Sequence, residues 1–249
     1  MKRSYEKEMM DLPGHPRELL EEDLANLRVF NRYLGGHRSV MRGLARLVRE
    51  QRLVGFSLLD VGTGSGDVPA RITDWARQHG IQTSIVALEP EPVTARVAAT
   101  LTNPSFMPLL QKGKKGDSRR GRILVVRGDG LTPPFPPASF DFVLASQLLH
   151  HFSEEKIVTL LRTWAQLARR AIVVSDLVRH PVAYQGIRLI TKICTRNVMT
   201  RMDAPLSVRR AFTLAEWGEL LRRADIGRFQ IFSIFPYRVL ALVSLQGAR

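Results

Sequence analysis

The chain has 249 residues, of which 45% are hydrophobic, and its formal net charge is +14. This length and composition fit one α/β domain with a sizeable core and argue against a disordered chain. The single cysteine, Cys194, excludes an internal disulfide and a cysteine-based zinc site. No stretch reaches the roughly 18 apolar residues that span a bilayer, and residues 1–8 lack the apolar core of a signal peptide, so we expect a cytoplasmic protein.

Part of the positive charge is concentrated in one glycine-containing stretch, where only Asp117 opposes it. The basic residues there are Lys112, Lys114, Lys115, Arg119, Arg120 and Arg122. A solvated basic surface is the simplest interpretation. Attraction to an anionic membrane surface and binding to nucleic acid stay open as alternatives.

The elements before the first predicted strand are helical. Apolar residues recur near the 3.6-residue period over 17–31 and 38–50, and residues 31–36 break the pattern. We therefore predict an N-terminal helical extension over residues 1–54, followed by a second unit over 55–249.

Strand and helix signals alternate from residue 55 onward. In chain order they are a strand at 56–61, a helix at 68–79, a strand at 84–88, a helix at 92–101, a loop at 102–121, strands at 123–126 and 140–145, a helix at 154–168, a strand at 171–175, helical residues 181–200, a helix at 213–224 and a hairpin of 229–235 with 238–244. This alternation predicts an α/β fold with a mostly parallel seven-stranded sheet, helices on both faces and a C-terminal antiparallel hairpin. Residues 181–212 are predicted to form a helical cap.

The turn after the first strand is the main functional signal, because parallel sheets bind ligands beyond the carboxyl ends of their strands. Residues 60–66 read DVGTGSG. Glycines allow a positive φ and leave no Cβ in the way of a ligand, and the next helix points its first amides into the same space. We expect a ligand to contact Gly62, Thr63, Gly64 and Gly66.

The residue after this turn indicates which ligand is excluded. A dinucleotide fingerprint requires glycine at position 67, where this chain has Asp67, and the Gly-Lys-Ser/Thr of a phosphate-binding loop does not follow. A carboxylate there repels a pyrophosphate. The turn therefore favours a ligand without phosphate; a tight turn without any ligand is the alternative.

Three carboxylates follow or end predicted strands. Asp60 can orient the loop or reach a ligand ammonium group. Glu89, next to Pro90, lies where an acidic side chain accepts both ribose hydroxyls, and Asp129, next to Gly130, can accept from an adenine amino group. For Glu89 and Asp129, a solvated side chain at a strand end is the alternative.

These motifs, taken in order, resemble the class I S-adenosylmethionine-dependent methyltransferases, nearest to the ubiquinone and menaquinone methyltransferases. They are residues 58–66, Glu89, Asp129 and the run PFPPASFDFV at 134–143 followed by LHHF at 149–152. The resemblance covers about residues 55–180 and implies a Rossmann-like fold with S-adenosylmethionine as cofactor and S-adenosylhomocysteine as product.

The same resemblance implies roles for the residues. Asp60 and the glycine loop would hold the methionine part of the cofactor, Glu89 the ribose and Asp129 the adenine, while Ser146 and Gln147 would border it. Residues 31–36, 176–181 and 203–212 also resemble small-molecule methyltransferases encoded beside bacterial polyketide synthases. That likeness points to secondary metabolism and to phenolic or lipid-like acceptors.

The catalytic candidates are His150 and His151, at the carboxyl edge where the methyl group should lie. Adjacent residues point in different directions, so at most one is expected to face the acceptor; a histidine bonded to backbone at a helix start is the alternative. We expect no metal, because neighbouring histidines do not easily ligate one ion and no carboxylate cluster accompanies them.

Residues on both sides of the opening are candidates for binding. Asp176, Arg179 and His180 follow the fifth strand and, with His151, are predicted to contact the substrate, with loop-capping contacts as the alternative. Arg32 is predicted to reach the cofactor carboxylate from the N-terminal extension. Arg210 is expected to face solvent.

The function predicted first is methyl transfer from S-adenosylmethionine to oxygen or carbon of a small phenolic, quinol or lipid-like acceptor by in-line displacement. An RNA methyltransferase is the alternative that the charge favours. Against it, residues 145–147 read Ala-Ser-Gln rather than the Asn/Asp-Pro-Pro-aromatic motif of base-amino methylation, so nucleic acid is not the expected partner. A non-enzymatic cofactor-binding module stays open, as does peripheral membrane contact.

Overall fold

The computed structural model describes residues 1–102 and 122–245. The helices in these parts are α1 (Arg17–Tyr33), α2 (Gly36–Glu50), α3 (Asp67–Gln78), α4 (Pro92–Thr102), α5 (Glu154–Leu167), α6 (Pro181–Cys194), α7 (Val198–Arg210) and α8 (Leu214–Ala224). The strands are β1 (Gly55–Val61), β2 (Gln82–Glu89), β3 (Arg122–Arg127), β4 (Phe140–Ser146), β5 (Ala168–Leu177), β6 (Arg228–Ile234) and β7 (Arg238–Ser244). Short 3₁₀ turns cover Met9–Asp11 and Leu149–His151.

The predicted elements are found, with shifts of one or two residues at several ends and the following differences. Residues 181–200 form parts of two helices rather than one, because α6 ends at Cys194 and Asn197 caps the start of α7. The first helix continues through Tyr33, and the left-handed Gly35 separates it from α2. Strand β5 begins at Ala168, three residues before its predicted start. The predicted loop 102–121, with its basic cluster, lies outside the described residues except for Thr102 and the backbone of Arg122.

The sheet confirms the predicted fold class. Its strand order is β3-β2-β1-β4-β5-β7-β6. All pairs from β3 to β5 are parallel, while β7 is antiparallel to both β5 and β6. The chain moves outward from β1 to β3 and then returns to β4, so the order reverses between β1 and β4. This reversal opens a crevice at the carboxyl ends of those two strands, which is where such sheets bind ligands.

Helices cover both faces of the sheet. On one face, the fully buried Trp164 of α5 and Trp217 of α8 belong to one apolar cluster. On the other, Leu44 of α2 and Ile72 of α3 belong to a second cluster. The α2 helix lies so close to β7 that a Cβ built on Gly43 would be 2.9 Å from a methyl carbon of Leu240. In the structure, α2 therefore forms part of the core, although the sequence placed it in an extension.

Helices α6 and α7, which span the residues predicted to form a cap, pack with α1 at the carboxyl edge of the sheet. Phe30 of α1 packs with Ile187 of α6 and Val208 of α7 in a separate apolar cluster. The amide group of Asn197 donates to the Leu19 carbonyl oxygen at 3.0 Å, which ties the start of α7 to α1. None of the helices in the described ranges has the length and hydropathy of a membrane span.

A tight backbone contact fixes the joint between α1 and α2. Gly35 has a φ of +83°, and a Cβ built there would lie 2.9 Å from the Phe235 carbonyl oxygen. We predict that Gly35→Ala lowers the free energy of unfolding by about 2 to 4 kcal/mol, because strain and backbone overlap add. Gly80→Ala is the matched control, since its φ is +68° and nothing lies within 4 Å of the added Cβ; it should lose only about 1 kcal/mol. If urea titrations show the same loss of unfolding free energy in both variants, the contact with Phe235 does not restrict residue 35.

Candidate active site

A cavity of about 870 Å³ lies at the carboxyl edge of the sheet. Its walls come from the turn after β1, the end of β2, the segment after β4, the helices α1 and α7, and the N-terminal segment before α1. Its lining includes Glu8, Asp11, Asn31, Asp60, Thr63, Gly64, Glu89, Pro90, Ser146, Gln147, His150 and His151. Residues far apart in the sequence are thus brought to one space.

The glycine turn adopts the backbone that its sequence predicts, with φ of +66° at Gly62, +57° at Gly64 and +78° at Gly66. The amides of Gly62 and Thr63 both donate to the Leu88 carbonyl oxygen, at 2.9 and 3.1 Å, so they hold the turn against β2. A Cβ built on Gly64 would have nothing within 4 Å, which leaves that part of the turn open. Gly66 instead faces α4 and does not line the cavity.

Two buried carboxylates line the floor of the cavity. Asp60 is 1% exposed and accepts a 2.6 Å hydrogen bond from the Thr63 hydroxyl. Glu89 is 7% exposed and accepts from the amides of Gly64 and Glu91, at 3.0 and 3.2 Å. Burial raises the pKa of each carboxyl to about 7. A ligand cation would stabilise their ionised forms.

Asp67 begins α3, and its carboxylate is held by neighbouring side chains. It lies 2.7 Å from the His37 ring and accepts from the Asn31 amide at 3.1 Å. Burial opposes its ionisation, but these contacts and one from Ser65 hold the pKa of Asp67 below its ordinary value. A negative charge therefore stands at the helix N-terminus, where a phosphate would otherwise bind.

The structure corrects the role predicted for Arg32. Its side chain is exposed and stacks over the Tyr33 ring, 5.5 Å from the centroid. Asn31, one residue earlier, is buried, lines the cavity and contacts the Gln147 side chain. Successive helix residues point about 100° apart, so a shift of one residue moves a side chain from the cavity to solvent.

Asp129 and Gly130, which follow β3, do not line the cavity, unlike the residues at the ends of β1 and β2. Asp129 is exposed, accepts from the Leu131 amide at 2.9 Å and does not line the cavity. Gly130 packs against Val61, and its carbonyl oxygen accepts from the Trp164 indole at 2.8 Å. Pro90 does line the cavity.

His150 and His151 both line the cavity, although adjacent residues were expected to point in different directions. The 3₁₀ turn at Leu149–His151 places their rings side by side, with centroids 4.3 Å apart. His150 Nδ1 lies 2.7 Å from an Asp176 carboxylate oxygen, and His151 Nδ1 lies 3.0 Å from Asp11. Each ring is therefore oriented by its own carboxylate.

The predicted residues after β5 separate into two groups. Asp176 is fully buried behind His150, and although burial opposes its ionisation, the charge and hydrogen bond of His150 keep its pKa below the ordinary value. Arg179 forms a 2.6 Å ion pair with Glu216, and His180 caps α6 by accepting from the Val182 amide at 3.2 Å. Neither Arg179 nor His180 lines the cavity, so we withdraw their assignment to the substrate.

The N-terminal segment supplies residues that the sequence analysis missed. Glu8 is 1% exposed, and its carboxylate lies 3.6 Å from His150 Nε2 and 3.9 Å from His151 Nε2. Burial raises the pKa of Glu8 to about 7. No local pattern marks Glu8 or Asp11 in the sequence, because their partners lie about 140 residues away.

Two residues of α7, Asp203 and Arg210, hold this segment over the cavity. The amides of Met9 and Met10 donate to the Asp203 carboxylate, at 2.8 and 2.9 Å. Arg210 is 5% exposed rather than solvent-facing, and it pairs with Asp11 at 3.1 Å and donates to the His151 carbonyl oxygen at 2.7 Å.

A second, apolar cavity of about 240 Å³ adjoins the first and shares Gln147 and Leu177 with it. The cap helices supply much of its wall. Its lining also includes Arg238, which is 3% exposed and whose Nη1 has no hydrogen-bond partner among the described residues. Burial lowers the pKa of Arg238 to about 10.

Comparisons with known proteins agree with this geometry. A family model described as a methyltransferase domain matches residues 59–171. The uncharacterized methyltransferase YrrT of Bacillus subtilis strain 168 is 27% identical over 105 residues, covering 42% of this chain and 38% of that protein.

Solved structures are similar in fold. Human N-acetylserotonin methyltransferase in complex with S-adenosylmethionine matches with a TM-score of 0.63 and 16% identity, covering 98% of this chain and 63% of that one. An S-adenosylmethionine-dependent methyltransferase from Aquifex aeolicus matches with a TM-score of 0.59 and 13% identity, covering 90% of this chain and 98% of that one. The chain thus spans less than two thirds of the length of the Bacillus relative and of the human structure.

The raised pKa of Asp60 predicts a pH-dependent stability. A carboxyl with a folded pKa above its unfolded value stabilises the fold at low pH and loses that contribution as pH rises through the folded pKa. Between about pH 5 and about pH 8, the wild type should lose about 1 to 3 kcal/mol more of its unfolding free energy than Asp60→Asn. Asp74→Asn, at an exposed ion pair, should follow the wild type. If the unfolding free energies of Asp60→Asn and the wild type change equally with pH, the pKa of the Asp60 carboxyl is not raised by burial.

Proposed function

We propose that this chain is a class I S-adenosylmethionine-dependent methyltransferase that transfers a methyl group from that cofactor to a small-molecule acceptor. The observation that carries the proposal is one shared cavity. It has the buried carboxylates Asp60 and Glu89 at one side and the paired rings of His150 and His151 at the other.

The chemistry of the cavity fits this cofactor. S-adenosylmethionine carries a sulfonium and an ammonium group, and the lining beside the glycine turn is acidic. Asp67 opposes a pyrophosphate at the adjoining helix start. The Ser146 hydroxyl is buried on the cavity wall with no hydrogen-bond partner among the described residues, and a ligand would satisfy it. The volume of about 870 Å³ is within the range of small-molecule sites.

We assign the residues as follows. Glu89 accepts the ribose hydroxyls, because its two bonded amides leave carboxylate lone pairs free. Asp60, Thr63 and Gly64 hold the methionine part, bordered by Ser146 and Gln147. Asp129 is exposed and does not line the described cavity, but it stays our candidate for the adenine amino group because the amide of Gly128, one residue earlier, donates to the Glu89 carbonyl oxygen at 3.3 Å and so keeps this strand end beside Glu89.

The protein's part in the reaction is mainly positioning. When bound, the cofactor supplies a methyl group already activated on sulfur, so the chain must align the acceptor and exclude water. The docked N-terminal segment covers the cavity and serves that exclusion. His150 and His151, each oriented by a carboxylate, are the side chains that we assign to the acceptor's reacting atom.

The second cavity supports an acceptor with an apolar part. It adjoins the first at Gln147 and Leu177, and apolar side chains of α1, α6 and α7 dominate its wall. A phenolic, quinol or lipid-like acceptor, methylated on oxygen or carbon, would place its apolar portion there. Any anionic or carbonyl oxygen on that portion would meet the Arg238 guanidinium.

Transfer of a labelled methyl group tests the proposal. The full chain is incubated with methyl-labelled S-adenosylmethionine and either a small-molecule extract or total RNA of its source cell. We expect label in an organic-soluble small molecule, and Glu89→Ala should lose that transfer while Glu219→Ala, at a surface ion pair, retains it. Label that enters only RNA, or no label transferred at all, would contradict the proposal.

A further inference from the structure

We propose that Glu8, His150 and His151 form a binding site for one divalent transition-metal ion. The site opens onto the cavity, and its role of holding the acceptor's reacting oxygen rests on the proposed function. The expectation of no metal relied on adjacent histidines diverging and on a missing carboxylate cluster. The structure differs on both points, because the two rings lie together and Glu8, Asp11 and Asp176 surround them.

The spacing of the ligand atoms fits an ion. One atom from each of Glu8, His150 and His151 lies within 4.8 Å of the other two. The Glu8 oxygens are 3.6 Å from His150 Nε2 and 3.9 Å from His151 Nε2. Tetrahedral zinc with ligands at about 2.1 Å holds them about 3.4 Å apart, so the two Glu8–histidine distances need to shorten by only a few tenths of an ångström.

The second ring nitrogens are engaged as metal-binding histidines require. His150 Nδ1 lies 2.7 Å from Asp176, and His151 Nδ1 lies 3.0 Å from Asp11. A carboxylate accepts, so each Nδ1 donates to its own carboxylate and the Nε2 atom on the Glu8 side of each ring is the one left to coordinate an ion. Carboxylate–histidine–metal arrangements of this kind fix ring orientation and raise ligand basicity.

One carboxylate oxygen of Glu8 lacks a hydrogen-bond partner. Its Oε1 atom is buried and accepts no hydrogen bond from any residue in the ranges 1–102 and 122–245. Burying a carboxylate oxygen without a partner is costly, and a cation between Glu8 and the two imidazoles would satisfy it.

The charges around the site allow a cation. Arg210 is the guanidinium nearest to Glu8 among the described contacts, with Nε 3.7 Å from Oε1. Its charge is taken up by Asp11 at 3.1 Å and by the carbonyl oxygens of Glu6 and His151, at 2.8 and 2.7 Å. Asp176 adds a further negative charge behind His150, which offsets a divalent ion in the pocket.

The ligands are held before any ion binds. The Asp203 carboxylate anchors the turn beside Glu8 by accepting from the amides of Met9 and Met10. Arg3 donates to the Phe152 carbonyl oxygen at 2.8 Å and so ties the same segment to the histidine turn. An ion would need little rearrangement of the chain, which favours affinity.

A metal here would act on the acceptor. Two imidazoles and one carboxylate leave a coordination position for a further oxygen, as in catalytic zinc sites. A phenol ordinarily titrates near 10, and a nearby divalent ion lowers the pKa of a hydroxyl that faces it, so its proton passes to solvent at neutral pH. The oxygen lone pair would then form the bond to the methyl carbon while the carbon–sulfur bond breaks, and S-adenosylhomocysteine would leave.

Metal titration of the chelator-treated full chain tests the site. We expect calorimetry with Zn²⁺ to show one ion per chain, and Co²⁺ to give the visible absorption of a site with nitrogen ligands. Glu8→Gln and His151→Ala should each weaken Zn²⁺ binding at least roughly tenfold. His79→Ala, at an exposed histidine bonded to the Trp75 carbonyl oxygen, is the matched control and should bind like the wild type.

Affinity for S-adenosylmethionine, measured on the same samples, separates this proposal from the proposed function. The wild type should bind the cofactor with and without Zn²⁺, and circular dichroism reports that Glu8→Gln and His151→Ala are both folded. Absence of Zn²⁺ binding by the wild type, or binding that both variants retain at full affinity, would overturn the metal site. Failure of the wild type to bind the cofactor would instead overturn the proposed function.

Discussion

Burial of the Asp60 and Glu89 carboxylates at the carboxyl edge of the sheet is the constraint on which the site depends. Removing a carboxylate from water is costly unless hydrogen bonds or a cation compensate it. Thr63 and Gly64 supply some of that compensation, and they do so because the glycine turn folds back over β2. The geometry of the turn and the charge of the cavity are therefore one feature, and it favours a cationic ligand over a phosphate.

The opposite wall of the cavity depends on long-range contacts. The Asp176–His150 pair joins the end of β5 to the turn after β4, and the N-terminal segment adds Glu8 and Asp11 from above. The same segment that brings Glu8 to the histidines also covers the cavity. One piece of chain thus covers the cavity proposed for the cofactor and completes its histidine wall.

Much of the fold could be predicted from the sequence, because strand and helix periodicities alternate and the glycine turn marks the first crossover. Asp60 and Glu89 could be placed as well, since parallel strands end at one edge. Asp129 shares that position in the pattern but faces solvent, because the strand end alone does not determine where a side chain points. Asn31 lines the cavity and Arg32 does not, because successive residues of a helix point about 100° apart. The sequence pattern did not determine that rotation.

Other parts of the site were beyond sequence reasoning for a physical reason. Glu8 and Arg210 acquire their roles only when the N-terminal segment docks on α7, and nothing near them in the sequence signals that contact. Adjacent histidines usually diverge in helices and strands, but the 3₁₀ turn at Leu149–His151 brings their rings together.

Calorimetric titration with S-adenosylmethionine tests the central claim that the cofactor binds in the cavity beside Asp60 and Glu89. The wild type should bind one cofactor per chain, and Glu89→Ala should weaken binding roughly tenfold to a hundredfold, since it removes hydrogen bonds to a charged group. Asp129→Ala should weaken it too if the adenine lies at β3, and Glu219→Ala should not change it. Unchanged affinity in Glu89→Ala, or no binding by the wild type, would contradict the account.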